Sequence, residues 1–264
     1  MTPVSVLAVL QARMSSSRLP GKVLLQICGK PLLQHQIERV RRCTAIDQLI
    51  VATSSDPSDD PIEALGLVLK APVFRGSLHD VLDRFVKAAR PYRCDRVVRL
   101  TGDCPLVDPT IVGQVVQAAI DGGFDYVSSA LHPSFPDGLD AECLRFDTLE
   151  QAWSEAALPS EREHVTSFIY ARPDRFKLGE VRNDRDLSSL RWTVDEPRDF
   201  VFVSQVYERL YPRKPDFSME DVLQLLDNEP ALALLNGGIA RNGGYLRSLQ
   251  KDVAAGPNHH QGPT

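Results

Sequence analysis

Neither of the two glycine signatures that cradle phosphates in many α/β proteins, GxxxxGK[ST] and GxGxxG, occurs in the 264 residues. Any phosphate site in this chain must therefore be built in another way. No CxxC pair occurs either. The five cysteines, Cys28, Cys43, Cys94, Cys104 and Cys143, are scattered and odd in number. That argues against a disulfide framework and a cysteine zinc site, and it fits a reducing cytosol. No apolar run approaches the roughly 20 residues needed to cross a bilayer. The short N-terminal apolar stretch leads into polar residues rather than a cleavage site, so no signal peptide is expected. Excess basic charge is also missing, because 30 Lys and Arg face 35 Asp and Glu for a net charge of −5. With only 7% aromatic residues, a basic and aromatic stripe of the kind that binds nucleic acid is not expected.

Against that acidic background one cluster of cations stands out. The apolar run "VSVLAVL" at 4–10 reads as a buried strand. Directly behind it "QARMSSSRLPGK", residues 11–22, gathers Arg13, Arg18, Lys22 and three serines around Gly21. Forked guanidinium donors, a compact ammonium and hydroxyls behind a strand suit an anionic ligand such as a phosphate chain. A solvated turn in which the arginines meet neighbouring carboxylates accounts for the segment equally well.

Further along, strand and helix patterns alternate over about the first 130 residues. "PLLQHQIERVRRC" has helical spacing and "QLIVATSS" reads as a strand followed by a loop rich in Asp, Ser and Pro. A third strand lies within "LGLVLKAPVFRG", and "SLHDVLDRFVKAAR" is a helix opened by Ser77 with Asp80 in its first turn. "DRVVRLTGDCPLVDP" is a strand running into a loop, and "PTIVGQVVQAAIDGG" is a helix. The economical arrangement is an α/β fold with a mostly parallel sheet covered by helices on both faces. In such sheets ligands bind beyond the carboxyl ends of the strands, so segments 11–22 and 101–108 are expected to meet at one edge. "SEREHVTSFIYARPDRF" reads as one helix halted before Pro173, and "LRWTVDEPRDFVFVSQVYERLY" as a strand, a turn and a helix. The last helical signal is "SMEDVLQLLDNEPALALLN". Residues 251–264 lack apolar periodicity and are expected to form a disordered tail beyond a single domain of residues 1–250.

Taken together, "QARMSSSRLPGKVL", "GKPLL" and "GDCPLVDP" resemble the cytidylyltransferases that activate sugar acids. "GSLHDVLDRF", "FPDGLDAECL", "REHVTSFIY", "LRWTVDEPRDF" and "NGGYLRSL" are similar to the branch named for spore-coat polysaccharide biosynthesis protein SpsF. The resemblance implies a Rossmann-like nucleotidyltransferase fold, Mg²⁺, CTP and pyrophosphate release, in a cytoplasmic homodimer. It places Arg13 and Lys22 at the family's triphosphate arginine and lysine, with Arg18 in the same signature. Asp103 falls at the GD motif that binds metal, and Asp195 at a second metal carboxylate. Catalytic residues are thus expected to be Arg13, Lys22 and Asp103, and nucleotide-binding ones Gln11, Ala12, Arg13, Ser17, Arg18, Lys22 and Thr101. Residues of about 130–180 are expected to form a small inserted acceptor or dimerisation region, with Asp137, Glu142, Arg162 and His164 facing the acceptor. Cys104 is expected to pack rather than act as a nucleophile. A glycosyltransferase using a nucleotide-sugar, or a non-catalytic nucleotide-binding partner in a glycan pathway, are the alternatives. The RxxxxRxPGK loop suits a free triphosphate better than a nucleotide-sugar diphosphate.

Overall fold

The computed structural model describes residues 4–239 together with 241, 248, 249 and 252. The expected disordered tail lies outside these residues apart from Asp252, whose carboxylate accepts the Ser160 N–H at 2.9 Å.

The chain opens with β1 (Val6–Gln11), a small hairpin of β2 (Gln26–Ile27) and β3 (Lys30–Pro31), and α1 (Leu32–Val40). β4 (Gln48–Ser54), α2 (Asp60–Val68), β5 (Val73–Gly76), α3 (Val81–Ala89), β6 (Arg96–Thr101) and α4 (Pro109–Asp121) complete the alternating part. Then come β7 (Tyr126–Ser128), β8 (Glu142–Arg145), α5 (Phe146–Glu155), α6 (Pro159–His164), α7 (Ser167–Tyr170) and β9 (Leu178–Glu180). Two helices close the described chain, α8 (Pro197–Leu210) and α9 (Met219–Asn228). The main sheet has seven strands in the order β5-β4-β1-β6-β8-β7-β9. All neighbours are parallel except β8, which runs against both β6 and β7.

β1 is apolar at every position up to Leu10 because it is covered on both faces. Leu7 and Val9 face α3, α5 and α7, whereas Val6, Ala8 and Leu10 face α1 and α4. Each such side chain contributes about 1.5–3 kcal/mol of burial. A third core is built where α8 and α9 pack on Ile27, Leu32, Ile111 and Trp192.

Four expectations are corrected. The Asp- and Pro-rich stretch after β4 is not all loop: it contains α2, with Pro61 in the first turn, where its missing N–H costs nothing. Asp80 is not inside α3 but caps it, accepting the Asp83 N–H at 2.9 Å, while Ser77 Oγ accepts the Asp80 N–H. The single helix expected over "SEREHVTSFIY" is broken into α6 and α7 at Val165, which sits at φ 62°. The strand expected at 190–194 is reduced to one bridge between Arg191 and Asp137. Residues 130–180 contribute β8 and β9 to the main sheet.

Candidate active site

Strands β1, β4 and β6 are parallel neighbours, so their carboxyl ends share one edge. The loop after β1 arcs back on itself there. Asp59 accepts the Met14 N–H at 2.7 Å, and the Met14 carbonyl accepts the N–H of Gly21, a residue at φ 71°. The loop after β6 packs against it. Gly102 donates to the Gln11 carbonyl at 2.7 Å, and a Cβ at Gly102 would lie 2.8 Å from that oxygen, so only glycine allows the approach.

A cleft of about 960 Å³ opens at this edge. Its walls include Gln11, Ala12, Arg13, Ser17, Arg18, Lys22, Thr101, Asp103, Asp137, Glu142, His164 and Asp195. Residues widely separated in the sequence thus meet, as the resemblance implies. Arg13 is exposed and makes no ion pair among the described residues. The Gln11 carboxamide oxygen is buried without a partner among them.

At the centre is Lys22, which is 7% exposed. Its ammonium donates to Asp103 Oδ2 at 2.8 Å, to Asp195 Oδ1 at 2.8 Å and to the Val194 carbonyl at 2.7 Å, which uses all three of its donors. Burial works against the charged form, but the two carboxylates overcome it and hold the ammonium above its ordinary value. Burial likewise opposes ionisation of Asp103, yet the Lys22 charge and hydrogen bond bring its carboxyl down to about 2. The Val194 N–H bonds the Asp103 carbonyl at 2.8 Å, which locks the two acid-bearing segments together.

Asp195 is gripped on both oxygens. Lys22 holds Oδ1, while Oδ2 accepts from Arg18 at 2.8 Å and Arg191 at 3.0 Å. Glu196 lies 3.6 Å from Arg18. Two carboxylate oxygens lie equidistant from one buried point, and hard oxygen donors of this kind suit Mg²⁺, which takes its other ligands from phosphate and water. No cluster of three or more His, Cys, Asp or Glu that could hold a metal alone exists among the described residues. The Asp103 and Asp195 carboxylates by themselves are the one or two protein ligands that Mg²⁺ takes when phosphate and water supply the rest. Cys104 is buried, and burial together with the Asp103 charge raises its thiol well above the ordinary range, the setting of a packed thiol rather than an activated one.

The acceptor residues are brought in unequally. Glu142 accepts from Arg99 at 2.5 Å, Tyr126 at 2.7 Å and Thr166 at 3.0 Å. The Thr166 contact depends on Val165, where a three-residue turn bonds the Thr166 N–H to the His164 carbonyl. Asp137 is held by Arg191 at 2.7 Å, and Asp140 by Arg241. Burial, with Asp137 and Glu142 close by, pushes the Asp140 carboxyl up to about 7 despite Arg241. His164 Nε2 is 2.9 Å from Ser248 Oγ, which donates to Glu163. Arg162 is the exception. It is absent from the cleft wall and ties α6 to α3 through Asp80, with a further bond to the Trp153 carbonyl. Its neighbour Glu163 lines the cleft instead.

Sequence reasoning missed Arg99 and Arg191. A guanidinium in the middle of an apolar strand was a signal, since strand alternation puts Arg99 on the face of Thr101. Nothing local marked Arg191.

The profile of the cytidylyltransferase family matches residues 7–237. Spore coat polysaccharide biosynthesis protein SpsF of Bacillus subtilis is 34% identical over 235 residues, spanning 86% of this chain and 96% of that protein. The structure of a cytidylyltransferase from Leptospira borgpetersenii superimposes with a TM-score of 0.85 at 31% identity, over 90% of this chain and all of that one. A CMP:2-keto-3-deoxy-manno-octonic acid synthetase complexed with CTP shares the fold, with a TM-score of 0.58 at 20% identity over 78% of this chain and 99% of that one. A mostly parallel sheet, a cation loop behind its first strand and two carboxylates on one lysine are thus found in a chain that belongs to the cytidylyltransferase family of nucleotidyltransferases, in its SpsF-like branch.

Proposed function

We propose that this chain transfers CMP from CTP to an oxygen of a small sugar acid or related acceptor, with Mg²⁺ as the metal and pyrophosphate as the second product. The pathway is that of a surface polysaccharide or glycoconjugate, and a homodimer and a cytoplasmic location belong to the same reading. Among the described residues no helix is long and apolar enough to cross a membrane.

The observation that carries the reading is the grip of Lys22 on Asp103 and Asp195, which lie 81 and 173 residues away in the sequence. Bound there, Mg²⁺ would supply positive charge against the phosphate oxygens. The residues of the chain do the rest. An acceptor hydroxyl oxygen attacks the α-phosphorus and gives up its proton to water, the bond from the α-phosphorus to the oxygen bridging it to the β-phosphate breaks, and pyrophosphate leaves with the electron pair. Arg13 and Arg18 stand on the cleft wall where they can meet the charge that gathers on the departing pyrophosphate. Lys22 can turn one of its donors from a carboxylate to a phosphate oxygen without leaving the buried site. At the other end Arg99, whose Nε is buried without a partner among the described residues, supports an acidic acceptor. The hydroxyls of Tyr126, Ser128 and Thr166 on the same cleft wall suit a polyol.

Pyrophosphate release tests the proposal, with CTP, UTP, ATP and GTP run against a panel of sugar acids and sugar phosphates. Release with CTP alone, dependent on one acceptor and lowered at least ~100-fold in Lys22→Ala, is expected. Release with Lys22→Ala at the wild-type rate contradicts the mechanism. Silence across the panel together with tight binding of a nucleotide-sugar favours the glycosyltransferase alternative.

A further inference from the structure

Three cations hold Asp195, and they are not equivalent. Arg18 reaches it from the loop after β1 with its side chain 32% exposed, and Lys22 divides its charge between Asp195 and Asp103. Both belong to the segment that faces the triphosphate. Arg191 has no such freedom. Its side chain is 6% exposed, and its guanidinium is pinned on three sides by Asp137 at 2.7 Å, Asp195 at 3.0 Å and Asp199 at 3.0 Å.

The pins are themselves fixed. Asp199, wholly buried at the start of α8, accepts the N–H groups of Asp195 and Glu196 at 3.0 and 2.9 Å. Asn236 donates to both Asp199 and the Arg191 carbonyl. Asp137 bridges the Arg191 backbone as well as its side chain. When Arg18 and Lys22 turn toward a nucleotide, Arg191 is the cation that stays on Asp195 Oδ2.

Resting on the nucleotidyl-transfer reading, we infer that Arg191 is the positioning residue of the metal site: it fixes the Asp195 carboxylate through Oδ2, leaves Oδ1 for a divalent cation, and ties that carboxylate to the acceptor side through Asp137. Arg191 touches neither the nucleotide nor the metal. A planar fork is required because three carboxylates are held in three directions, which an ammonium on a flexible stem cannot reproduce.

The test is Mn²⁺ binding to the CTP complex, followed by electron paramagnetic resonance without acceptor, so that no turnover is needed. Losing an outer partner of a metal ligand weakens metal affinity about 10- to 100-fold. Arg191→Lys is expected at about the lower figure and Arg191→Gln at about the upper one, with CTP affinity in the absence of metal unchanged. Circular dichroism and thermal melting establish that each variant is folded. Asp137→Asn, a near-isosteric change that loosens only one pin, serves if neither Arg191 variant folds, and about threefold weaker binding is expected of it. Folded variants that bind Mn²⁺ as the wild type does, and merely melt earlier, reduce Arg191 to a structural ion pair and overturn the inference. Wild-type protein that binds CTP but takes up no Mn²⁺ overturns it together with the metal in the proposed mechanism, while absence of CTP binding removes the nucleotidyl reading itself.

Discussion

Asp103 shows how a single residue's identity and its environment divide the work. The GD dipeptide after β6 marks a loop carboxylate, but only the Lys22 ammonium at 2.8 Å explains why it is ionised in a partly buried place. Its ordinary value of 3.8 falls to about 2 in the folded chain. A carboxyl lowered on folding contributes stability that is complete above its unfolded value and lost as pH falls toward the folded one. Metal-free protein is therefore expected to lose stability between about pH 4 and pH 2, and Asp103→Asn to lose roughly 1–2 kcal/mol less over that window. Urea midpoints at stepped pH measure this, and coincident slopes for the two proteins would show that Lys22 does not hold the carboxylate. Arg162 teaches the opposite lesson. It lies in a segment that marks the family, yet helix phase turns it to Asp80 and places Glu163 on the cleft.

At the level of elements, the strands and their polar loops were legible because burial on both faces leaves an unbroken apolar run. β1 is such a run up to Leu10, whereas β6 shows itself through Val97, Val98 and Leu100 with Arg99 set between them. The elements that were misread are those set by contacts rather than by pattern. Val165 ends α6 in a backbone conformation that a β-branched residue rarely adopts, and no local signal announced it. The segment 190–194 has strand-like composition, but its neighbour is the short turn at 137–138, where the Asp137 carbonyl accepts the N–H groups of Trp192 and Thr193 and Gly138 lets the two backbones approach. Gly138 is at φ 110°, and a Cβ there would lie 2.5 Å from the Thr193 nitrogen and 2.7 Å from the Trp192 carbonyl carbon. Backbone cannot yield as a side-chain tip would. Gly138→Ala is expected to cost roughly 2–4 kcal/mol in a denaturant titration and to disturb the Asp137–Arg191 bridge. A loss under about 0.5 kcal/mol, the range of an ordinary surface change, contradicts the close approach.

For the whole molecule the decisive feature is that the cleft has no single owner. The sheet supplies Gln11, Arg99 and Thr101, whereas Asp195 stands at the entry to α8, which belongs to the third core. A nucleotide bound across Lys22, Asp103 and Asp195 should slow hydrogen exchange in 11–22, 101–104 and 191–199 together. Protection confined to the first of these segments would mean that the distant carboxylate takes no part in binding.

The sequence alone determined the parallel sheet and the loops at its edge, because apolar periodicity is a local consequence of burial. It also determined the family, since ordered motifs along most of the chain survive without any knowledge of contacts. Only the tertiary structure decided which arginine serves which carboxylate. Arg18, Arg162 and Arg191 are the same residue type in polar surroundings. Their partners lie up to 178 residues away in the chain, from Arg18 to Glu196, and a guanidinium's role is set by the carboxylates that folding brings within reach of it.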